Sequence, residues 1–130
     1  MPDENLEITR AAYDALNRRD LEAFVALIDP EVEFGSLIAE SEGGSFSGHE
    51  GVREWWAQVA NSLGGLHFEP AKILDLGESV CVELVVTGTV AGVAVPQRMW
   101  QSIVLRDGKP VWWGTYRTEQ EALAALEAGA

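Results

Sequence analysis

The side chains that could perform acid–base, nucleophilic or metal chemistry are few and scattered in this sequence. The two histidines, His49 and His67, lie far apart, and neither has a carboxylate at the spacing of a metal-binding motif. Cys81 is the single cysteine, next to Val82 on the outward side of a predicted strand, without a local group that would activate its thiol. Phosphate loops, serine triads and dinucleotide fingerprints are absent from the sequence. We therefore expect no metal, no cofactor and no nucleophilic cysteine.

Carboxylates cluster around one short segment, at Glu31, Glu33, Glu40 and Glu42. A carboxyl group whose pKa is raised by its surroundings can act as a general acid or base. The alternation of Glu33 with Val32 and Phe34 directs its side chain to solvent if this segment is a strand. The cluster favours a solvated rim, and a catalytic carboxylate is the alternative.

Three long strands joined by two turns form the centre of the predicted fold: Ser79–Val90, Val95–Arg106 and Lys109–Arg117. Apolar residues recur at every second position from 80 to 86, which is the period of a pleated strand. The pairs Ala91-Gly92 and Asp107-Gly108 supply the turns, because glycine adopts positive φ angles at little cost. Such a long apolar sheet must bury one face, and helices are expected to cover it.

Helices are predicted before and after these strands. Asp3 and Asp20 are expected to cap the first two, and Pro30 to end the second. The third should run from His49 to about Leu63, with its inner stripe on Val52 and Trp56 and with Trp55 on the flank. Capping boxes are predicted before the third helix and before a short C-terminal helix, at Ser47-x-x-Glu50 and Thr118-x-x-Glu121.

Two more segments complete the prediction. Val32–Phe34 reads as a short strand, residues 38–48 as a loop, and Leu66–Leu76 as a strand that contains Pro70. A proline inside a strand indicates a sheet edge or a bulge. The order of elements predicts an α+β fold in which a curved antiparallel sheet wraps three helices, and the hollow of this cone is a candidate pocket.

Strand facing decides which side chains reach that hollow. If Gln101 points inward, Met99 and Ile103 do so too. On the last strand the answer depends on the turn: a three-residue Arg106-Asp107-Gly108 loop with a G1 bulge directs inward Val111, Trp113, Thr115 and Arg117. A two-residue Asp-Gly turn would instead direct inward Trp112, Gly114 and Tyr116. We favour the three-residue loop.

Composition restricts the class of protein. A length of 130 residues and 47% hydrophobic content predict one globular domain over 1–130. The formal net charge of -12 and the lack of Lys/Arg clusters argue against nucleic acid as a partner. The longest uncharged stretch is too short and too rich in glycine to cross a membrane. One cysteine and the absence of a signal-like N-terminus predict a cytoplasmic location.

Three segments resemble the nuclear transport factor-like superfamily, and most of all its SnoaL-like polyketide cyclases and ketosteroid isomerases: Tyr13–Leu27, Gly48–Trp56 and Leu105–Val111. The resemblance extends over almost the whole chain and implies the cone-shaped, cystatin-like fold with a short C-terminal helix. It implies little about function, because this fold hosts isomerases, cyclases, dehydratases, hydrolases and binding proteins.

The acid–base residues of the resembled enzymes do not carry over to this sequence. The isomerase tyrosine falls on Ala12, one residue before Tyr13, and the general-base aspartate falls on Phe34. The protonated oxyanion-hole acid falls on Gln101, whose amide can donate a hydrogen bond but cannot relay a proton. The cyclase carboxylate falls near Trp112 or Trp113, which are both indoles.

Three hypotheses follow from these residues. The first is a protein that binds a small, largely apolar or aromatic molecule, with a site lined by Tyr13, Phe34, Trp56, Met99, Gln101, Trp113 and Arg117. The second is a cyclase- or isomerase-type enzyme that uses a rim carboxylate such as Glu33 with Gln101 as hydrogen-bond donor. The third is a structural module with a closed hollow. Tryptophans near the hollow fit either a core or an aromatic ligand platform, and Gln101 bonded to the backbone or to Tyr13 is the structural alternative.

The outer face of the sheet predicts a partner. On the favoured facing it carries Trp100, Trp112 and Tyr116, which a monomer would expose on neighbouring strands. Aromatic residues of this kind are typical of interface cores, and back-to-back pairing of two sheets is common in the resembled family. We therefore expect a homodimer through Trp100 and Trp112.

Overall fold

A computed structural model describes residues 2–35, 46–63, 67–90, 93–94 and 97–127 of the chain. The helices are α1 (Pro2–Asn17), α2 (Leu21–Leu27), α3 (Gly48–Leu63) and α4 (Glu119–Glu127). The strands are β1 (Glu33–Phe34), β2 (Phe46–Ser47), β3 (His67–Asp75), β4 (Ser79–Thr87), β5 (Thr89–Val90), β6 (Val93–Ala94), β7 (Gln97–Arg106) and β8 (Lys109–Tyr116). This is the predicted α+β architecture. The predicted turn at Ala91-Gly92 and the carboxylates of Glu40 and Glu42 lie outside the described residues.

Six strands form one curved sheet in the order β2-β1-β8-β7-β4-β3, and β5 pairs with β6 in a separate two-stranded ribbon. All pairs in the six-stranded sheet are antiparallel except β1 with β8, where Glu33 lies opposite Trp112 and Phe34 opposite Trp113. The prediction of a wholly antiparallel sheet is therefore wrong at one pair. The segment that leads into α3 also differs from the predicted loop, because Phe46 and Ser47 pair with β1 as a strand.

Helix α1 is fastened to the edge strand β3 by side-chain amides. The amide of Asn17 donates to the carbonyl of Phe68 over 2.8 Å and accepts from the N–H of Phe68 over 2.7 Å. At the other end of the helix, Asn5 donates to the carbonyl of Gly77 over 2.6 Å. The Asn17 bonds satisfy backbone groups that the edge strand would leave unpaired, and both asparagines fix α1, which carries Tyr13, against the sheet.

The inner face of the sheet forms the core together with α1, α2 and α3. In the register of the central strands, Gln101 of β7 lies between Val82 of β4 and Thr115 of β8, and Ile103 lies between Val80 and Trp113. These residues are buried, as are Phe24, Val52 and Ala12 on the three helices. The predicted inward facing of Gln101 and Ile103 is thus confirmed.

The β7–β8 connection differs from the prediction although the facing of β8 does not. Arg106 pairs with Lys109 across a two-residue turn, in which Asp107 and Gly108 both have positive φ angles of 53° and 76°. The predicted three-residue loop is therefore wrong. One step further on, Val104 pairs with Trp112 while Leu105 pairs with Pro110, so that an extra residue is inserted in β8. This bulge at residue 111 reverses the parity, and Trp113 and Thr115 face inward as expected.

Three predicted local signals are confirmed. Strand β3 lies at the sheet edge, and its pairing with β4 shifts register between Pro70 and Lys72. Asp20 caps α2 by accepting from the N–H of Ala23 over 3.1 Å. Thr118 also caps α4, since its hydroxyl accepts from the N–H of Glu121 over 3.1 Å and donates to the Glu121 carboxylate over 3.1 Å.

Two predicted caps are wrong. Helix α1 begins at Pro2, so that Asp3 lies within the helix instead of before it. Before α3, the hydroxyl of Ser47 donates to the carboxylate of Glu33 at 2.9 Å, and Glu50 pairs with Arg53 at 2.9 Å. Long-range pairing of β1 with β2 has therefore replaced the local capping box.

The outer face of the sheet is partly covered by the C-terminal helix. Ala122 of α4 is fully buried, its carbonyl accepts from the hydroxyl of Ser102 over 2.7 Å, and Cys81 opposite Ser102 is buried as well. Trp100 and Trp112 are partly buried, and so is Tyr116, on which the Trp112 ring stacks with centroids 6.2 Å apart. The predicted exposure of these aromatic residues on the outer face is therefore only partial.

Candidate ligand-binding site

A chain of hydrogen bonds between side chains crosses the interior of the sheet. The hydroxyl of Tyr13 on α1 donates to the amide oxygen of Gln101 on β7. The amide nitrogen of Gln101 donates to the hydroxyl oxygen of Thr115 on β8 over 3.0 Å. Thr115 in turn donates to the carbonyl of Gly35, directly after β1, over 3.4 Å. Of the predicted site residues, the structure thus joins Tyr13 and Gln101, which is the arrangement that the structural alternative anticipated.

Burial determines the protonation state of Tyr13 in this hydrogen-bond chain. The side chains of Tyr13, Gln101 and Thr115 are 1%, 9% and 4% exposed. Burial raises the pKa of Tyr13 well above that of a free tyrosine, because the phenolate would lose its hydration. Tyr13 is therefore a neutral phenol at neutral pH.

An aromatic cluster lies beside the hydrogen-bond chain, with Trp113 at its centre. The ring of Trp113 meets Tyr13 and Phe24 nearly edge to face, with centroids 5.7 Å and 5.6 Å apart, and Phe34 lies 6.1 Å away. The centroid of Trp55 lies 4.7 Å from that of Phe34. Offset and edge-to-face geometries of this kind are the preferred ones for aromatic pairs. The predicted residues Phe34 and Trp113 are therefore brought together with Tyr13.

The inner face of α3 carries Trp55 instead of the predicted Trp56. Trp55, placed on the flank by the sequence, is 8% exposed and packs against Phe34, three residues after the fully buried Val52. Trp56 is only partly buried and lies next to Trp55, with centroids 6.0 Å apart. Sequence reasoning missed Trp55 and Phe24 as members of the cluster. The helical spacing of the apolar residues in α2 is the signal that could have revealed Phe24.

Two indole nitrogens in this cluster have no hydrogen-bond partner within the described part of the chain. The Nε1–H groups of Trp55 and Trp113 are buried, and neither finds an acceptor among the described residues. A buried N–H without a partner loses its bond to water and gains nothing in exchange. These two donors are therefore available to an acceptor that enters the aromatic cluster.

The two remaining predicted residues, Met99 and Arg117, lie outside the hydrogen-bond chain and the aromatic cluster. Met99 of β7 is partly buried opposite Leu84 and packs against the core. Arg117 follows the end of β8 and is exposed, so that it takes no part in the hydrogen-bond chain. Its predicted inward position assumed that the strand would continue beyond Tyr116.

Carboxylates do not reach this interior from the rim that the structure describes. Glu31 and Glu33 are exposed, and the carboxylate of Glu33 accepts from the hydroxyl of Ser47. The outward facing of Glu33 is thus as predicted, and its carboxylate is not placed beside the hydrogen-bond chain. Within the described ranges, no group of three or more His, Cys, Asp or Glu side chains is placed to hold a metal ion. None of the helices there is long and apolar enough to cross a membrane.

Solved structures of the same fold are numerous. TerC, co-crystallised with polyporic acid, has a TM-score of 0.80 and 26% identity over 95% of this chain and 98% of its own. A protein from Catenulispora acidiphila with a ketosteroid isomerase-like fold, in complex with trimethylamine, has a TM-score of 0.76 and 20% identity over 91% of this chain and 90% of its own. A cystatin-fold protein from Novosphingobium aromaticivorans has a TM-score of 0.74 and 20% identity over 87% of this chain and 97% of its own.

These likenesses agree with the match to a protein family. No match was found among curated proteins. The family of SnoaL-like domains matches residues 9–113, which include Tyr13, Gln101 and Trp113. The chain therefore belongs to the SnoaL-like domain family, and its α+β architecture is the cystatin-like fold that the sequence predicts.

Proposed function

We propose that this protein binds a small, largely apolar or aromatic molecule in the interior of the cone, beside Tyr13, Gln101 and Trp113. Phe34, Trp56 and Met99 complete the proposed site. The observation that carries the proposal is the pair of buried indole N–H groups, on Trp55 and Trp113, without an acceptor in the described residues. An oxygen or nitrogen atom of a ligand would supply the missing partner.

The energetic reason lies in the cost of an unpaired donor. A buried N–H without an acceptor costs about 1–3 kcal/mol, and a bound acceptor recovers much of this cost. Edge-to-face contacts around Trp113 offer an aromatic ligand additional attraction of about 0.5–1.5 kcal/mol per ring pair. Polar groups that are few and placed among aromatic walls are typical of small-molecule sites.

The two related structures with bound molecules support this proposal by analogy of fold. TerC is co-crystallised with polyporic acid, and the Catenulispora protein is in complex with trimethylamine. The chemistry of the interior favours binding over an acid–base reaction, because Gln101 cannot relay a proton and the nearby described carboxylates, Glu31 and Glu33, are exposed.

Thermal shift followed by isothermal titration calorimetry tests the proposal with mono- and bicyclic aromatic compounds. At a ligand concentration of about 100 times Kd, stabilisation amounts to about 2.7 kcal/mol. Trp113→Phe keeps a single aromatic ring at this position and removes the indole N–H, so that it should weaken the binding of compounds that carry an acceptor. Trp112→Phe is the matched control, because it makes the same change on the opposite face of the same strand. Failure of every compound class to stabilise the protein would refute the proposal, as would equal losses in the two variants.

We also propose that the outer sheet face mediates a homodimer. Trp100 and Trp112 remain partly exposed there beside α4, and the indole N–H of Trp100 is buried without a partner in the described residues. Light scattering at tens of micromolar (about the range in which a stable interface holds) should give twice the mass of the chain. Trp100→Glu should give a monomer, and Leu76→Glu should not, because Leu76 is 49% exposed in the β3–β4 connection. A monomeric unmodified protein would contradict the dimer.

A cytoplasmic location is the companion proposal. Its support is the single, buried, free thiol of Cys81, which is the state that a reducing compartment maintains. Fractionation of the cells that produce the protein would test it, and recovery from an extracellular fraction would contradict it.

A further inference from the structure

The hydrogen-bond chain in the interior has a direction, and a backbone group sets it. The carbonyl of Gly35 can only accept, so the bond from Thr115 consumes the single proton of the threonine hydroxyl. Thr115 must then accept from its other neighbour, which orients the amide nitrogen of Gln101 toward Thr115. The amide oxygen of Gln101 consequently faces Tyr13, and the tyrosine must donate its proton to it.

This direction determines what Tyr13 can offer to a ligand. A phenolic hydroxyl has one proton and can both donate and accept. Because the proton is engaged by Gln101, only the lone pairs of the Tyr13 oxygen remain for a further bond. The indole N–H groups of Trp55 and Trp113 have the opposite character, since they are donors only.

We propose that the ligand is a neutral hydroxylated aromatic molecule that donates an O–H to Tyr13 and offers an acceptor atom to an indole N–H of the cluster. This inference rests on the proposed binding function and specifies the ligand class. A ketone or an oxyanion at Tyr13 would face oxygen lone pairs instead of a proton. No side chain of the cluster that would contact the ligand carries a formal charge, and the net charge of the chain is -12, so anionic ligands are further disfavoured.

Access to Tyr13 is expected beside Met99. Met99 lies two residues before Gln101, on the same face of β7, and it is only partly buried. A methionine side chain is unbranched and adapts to new contacts at low cost. Tyr13 itself is enclosed, so a planar ligand must displace a neighbouring side chain to reach it, and Met99 is the partly buried candidate on the same face as Gln101.

The test compares three probes of one shape: naphthalene, 2-naphthol and 2-acetylnaphthalene. Near neutral pH the hydroxyl of 2-naphthol is protonated and can donate, whereas the acetyl group can only accept. We expect the unmodified protein to bind 2-naphthol roughly tenfold more tightly than 2-acetylnaphthalene, since one probe pairs with the Tyr13 oxygen and the other leaves it unpaired. Isothermal titration calorimetry measures the ratio.

Two variants then change the direction of the hydrogen bonds between Tyr13, Gln101 and Thr115. Gln101→Leu releases the proton of Tyr13, so the preference should shift to 2-acetylnaphthalene while naphthalene changes little. Thr115→Val removes the group that orients the amide of Gln101, and it should reduce the preference for 2-naphthol even if Gln101→Leu fails to fold. Ser102→Ala is the control, because it removes a buried hydroxyl on the opposite face of β7. Its probe ratio should equal that of the unmodified protein.

The outcomes separate the two proposals. If none of the three probes binds, and the broader aromatic screen also fails, the binding function itself is wrong. If naphthalene binds but 2-naphthol has no advantage over 2-acetylnaphthalene, the site exists and the inferred direction is wrong. A preference for 2-naphthol that survives unchanged in both Gln101→Leu and Thr115→Val would also overturn the inference.

Discussion

Tyr13 and Gln101 are 88 residues apart in the chain, and the hydroxyl of one donates to the amide oxygen of the other inside the core. One residue lies on the first helix and the other on a central strand. Each satisfies a polar group that burial would otherwise leave without a partner. The pair therefore links α1 to the sheet at the place where the proposed ligand would bind.

A double-mutant cycle should reveal the energy of this link. Tyr13→Phe and Gln101→Leu each leave one buried partner unsatisfied, and each should lower the free energy of unfolding by about 1–3 kcal/mol. The double variant should lose less than the sum, because it leaves neither group unpaired. Urea denaturation measures the coupling, which we expect at roughly 0.5–3 kcal/mol.

A second cycle provides the control for this measurement. Tyr13→Phe with Ser102→Ala combines residues on opposite faces of the sheet, and their effects should add. Additive losses in the Tyr13 and Gln101 cycle, within roughly 0.3–0.5 kcal/mol, would contradict a direct energetic link.

The pH dependence of stability should also reveal the raised pKa of Tyr13. Burial raises the pKa of Tyr13 in the folded protein, while in the unfolded chain it is about 10. Above about pH 10 the unfolded chain therefore loses this proton more readily than the folded one, and stability falls as pH rises toward the raised folded pKa. The free energy of unfolding of Tyr13→Phe, measured by urea denaturation, should therefore decline less between pH 9 and 11 (about one unit on each side of the unfolded value).

Ser102→Ala is the matched control for that experiment, because it removes a buried hydroxyl that does not ionise in this pH range. Ser102→Ala should keep the alkaline decline of the unmodified protein. The assignment to Tyr13 would be wrong if the two variants declined equally.

Gly114 has a close steric relationship with Trp112. A Cβ atom at Gly114 would overlap the Cη2 atom of the Trp112 ring, so that Gly114→Ala must move the indole. We expect a loss of about 1 kcal/mol in the free energy of unfolding, at the low end of the cost of overpacking because Trp112 is only partly buried. The loss should largely disappear in a Trp112→Ala background, as measured by chemical denaturation.

Gly35 offers the comparison for this substitution. A Cβ atom there would meet nothing within 4 Å, so Gly35→Ala should show no loss of this steric origin. A Gly114→Ala penalty that is unchanged without the Trp112 ring would show that the contact is not its cause.

The cap of α4 should control access to Cys81. Thr118→Ala removes the side-chain acceptor for the N–H of Glu121 and should cost about 1 kcal/mol of helix stability. Because α4 covers the part of the outer face that contains Ser102 and Cys81, its local opening should become more frequent. The rate at which a thiol reagent modifies Cys81 should rise about fivefold, as expected for about 1 kcal/mol.

Asp20→Ala supplies the control, since it removes the equivalent cap from α2 on the other side of the sheet. The rate of Cys81 modification should rise less in Asp20→Ala than in Thr118→Ala. Equal acceleration by the two substitutions would indicate global unfolding rather than opening of α4.

Much of the fold follows from local sequence signals. The alternation from Val80 to Val86 determines which side chains of β4 share a face, because a strand has a period of two. Pro70 marks the edge strand and its bulge, since it cannot donate to a sheet ladder. The resemblance of residues 13–27, 48–56 and 105–111 to SnoaL-like domains was sufficient to predict the family, which the match over residues 9–113 confirms.

The site itself was predicted only in part. Tyr13, Phe34, Gln101 and Trp113 were placed near the hollow by strand parity and by the resemblance, and the structure brings these four together. Which α3 tryptophan packs inside was decided by the tertiary structure, because a helical stripe is wide enough to admit either neighbour. The burial of Trp55 against Phe34 depends on the rotation of α3 relative to β1, and the sequence of the helix does not contain that rotation.

Long-range pairing decided the remaining features. The inward facing of Trp113 depends on two irregularities that compensate each other, a two-residue turn and a bulge at residue 111, and only the register with β7 distinguishes them from a single three-residue loop. Ser47 leaves its local capping role for Glu33 because β1 and β2 pair. The direction of the hydrogen bonds from Tyr13 to Gly35 likewise arises from groups on three separate parts of the chain. The sequence by itself determines the elements and their faces through local periodicity, whereas partners distant in the chain are selected only by the packing of the whole domain.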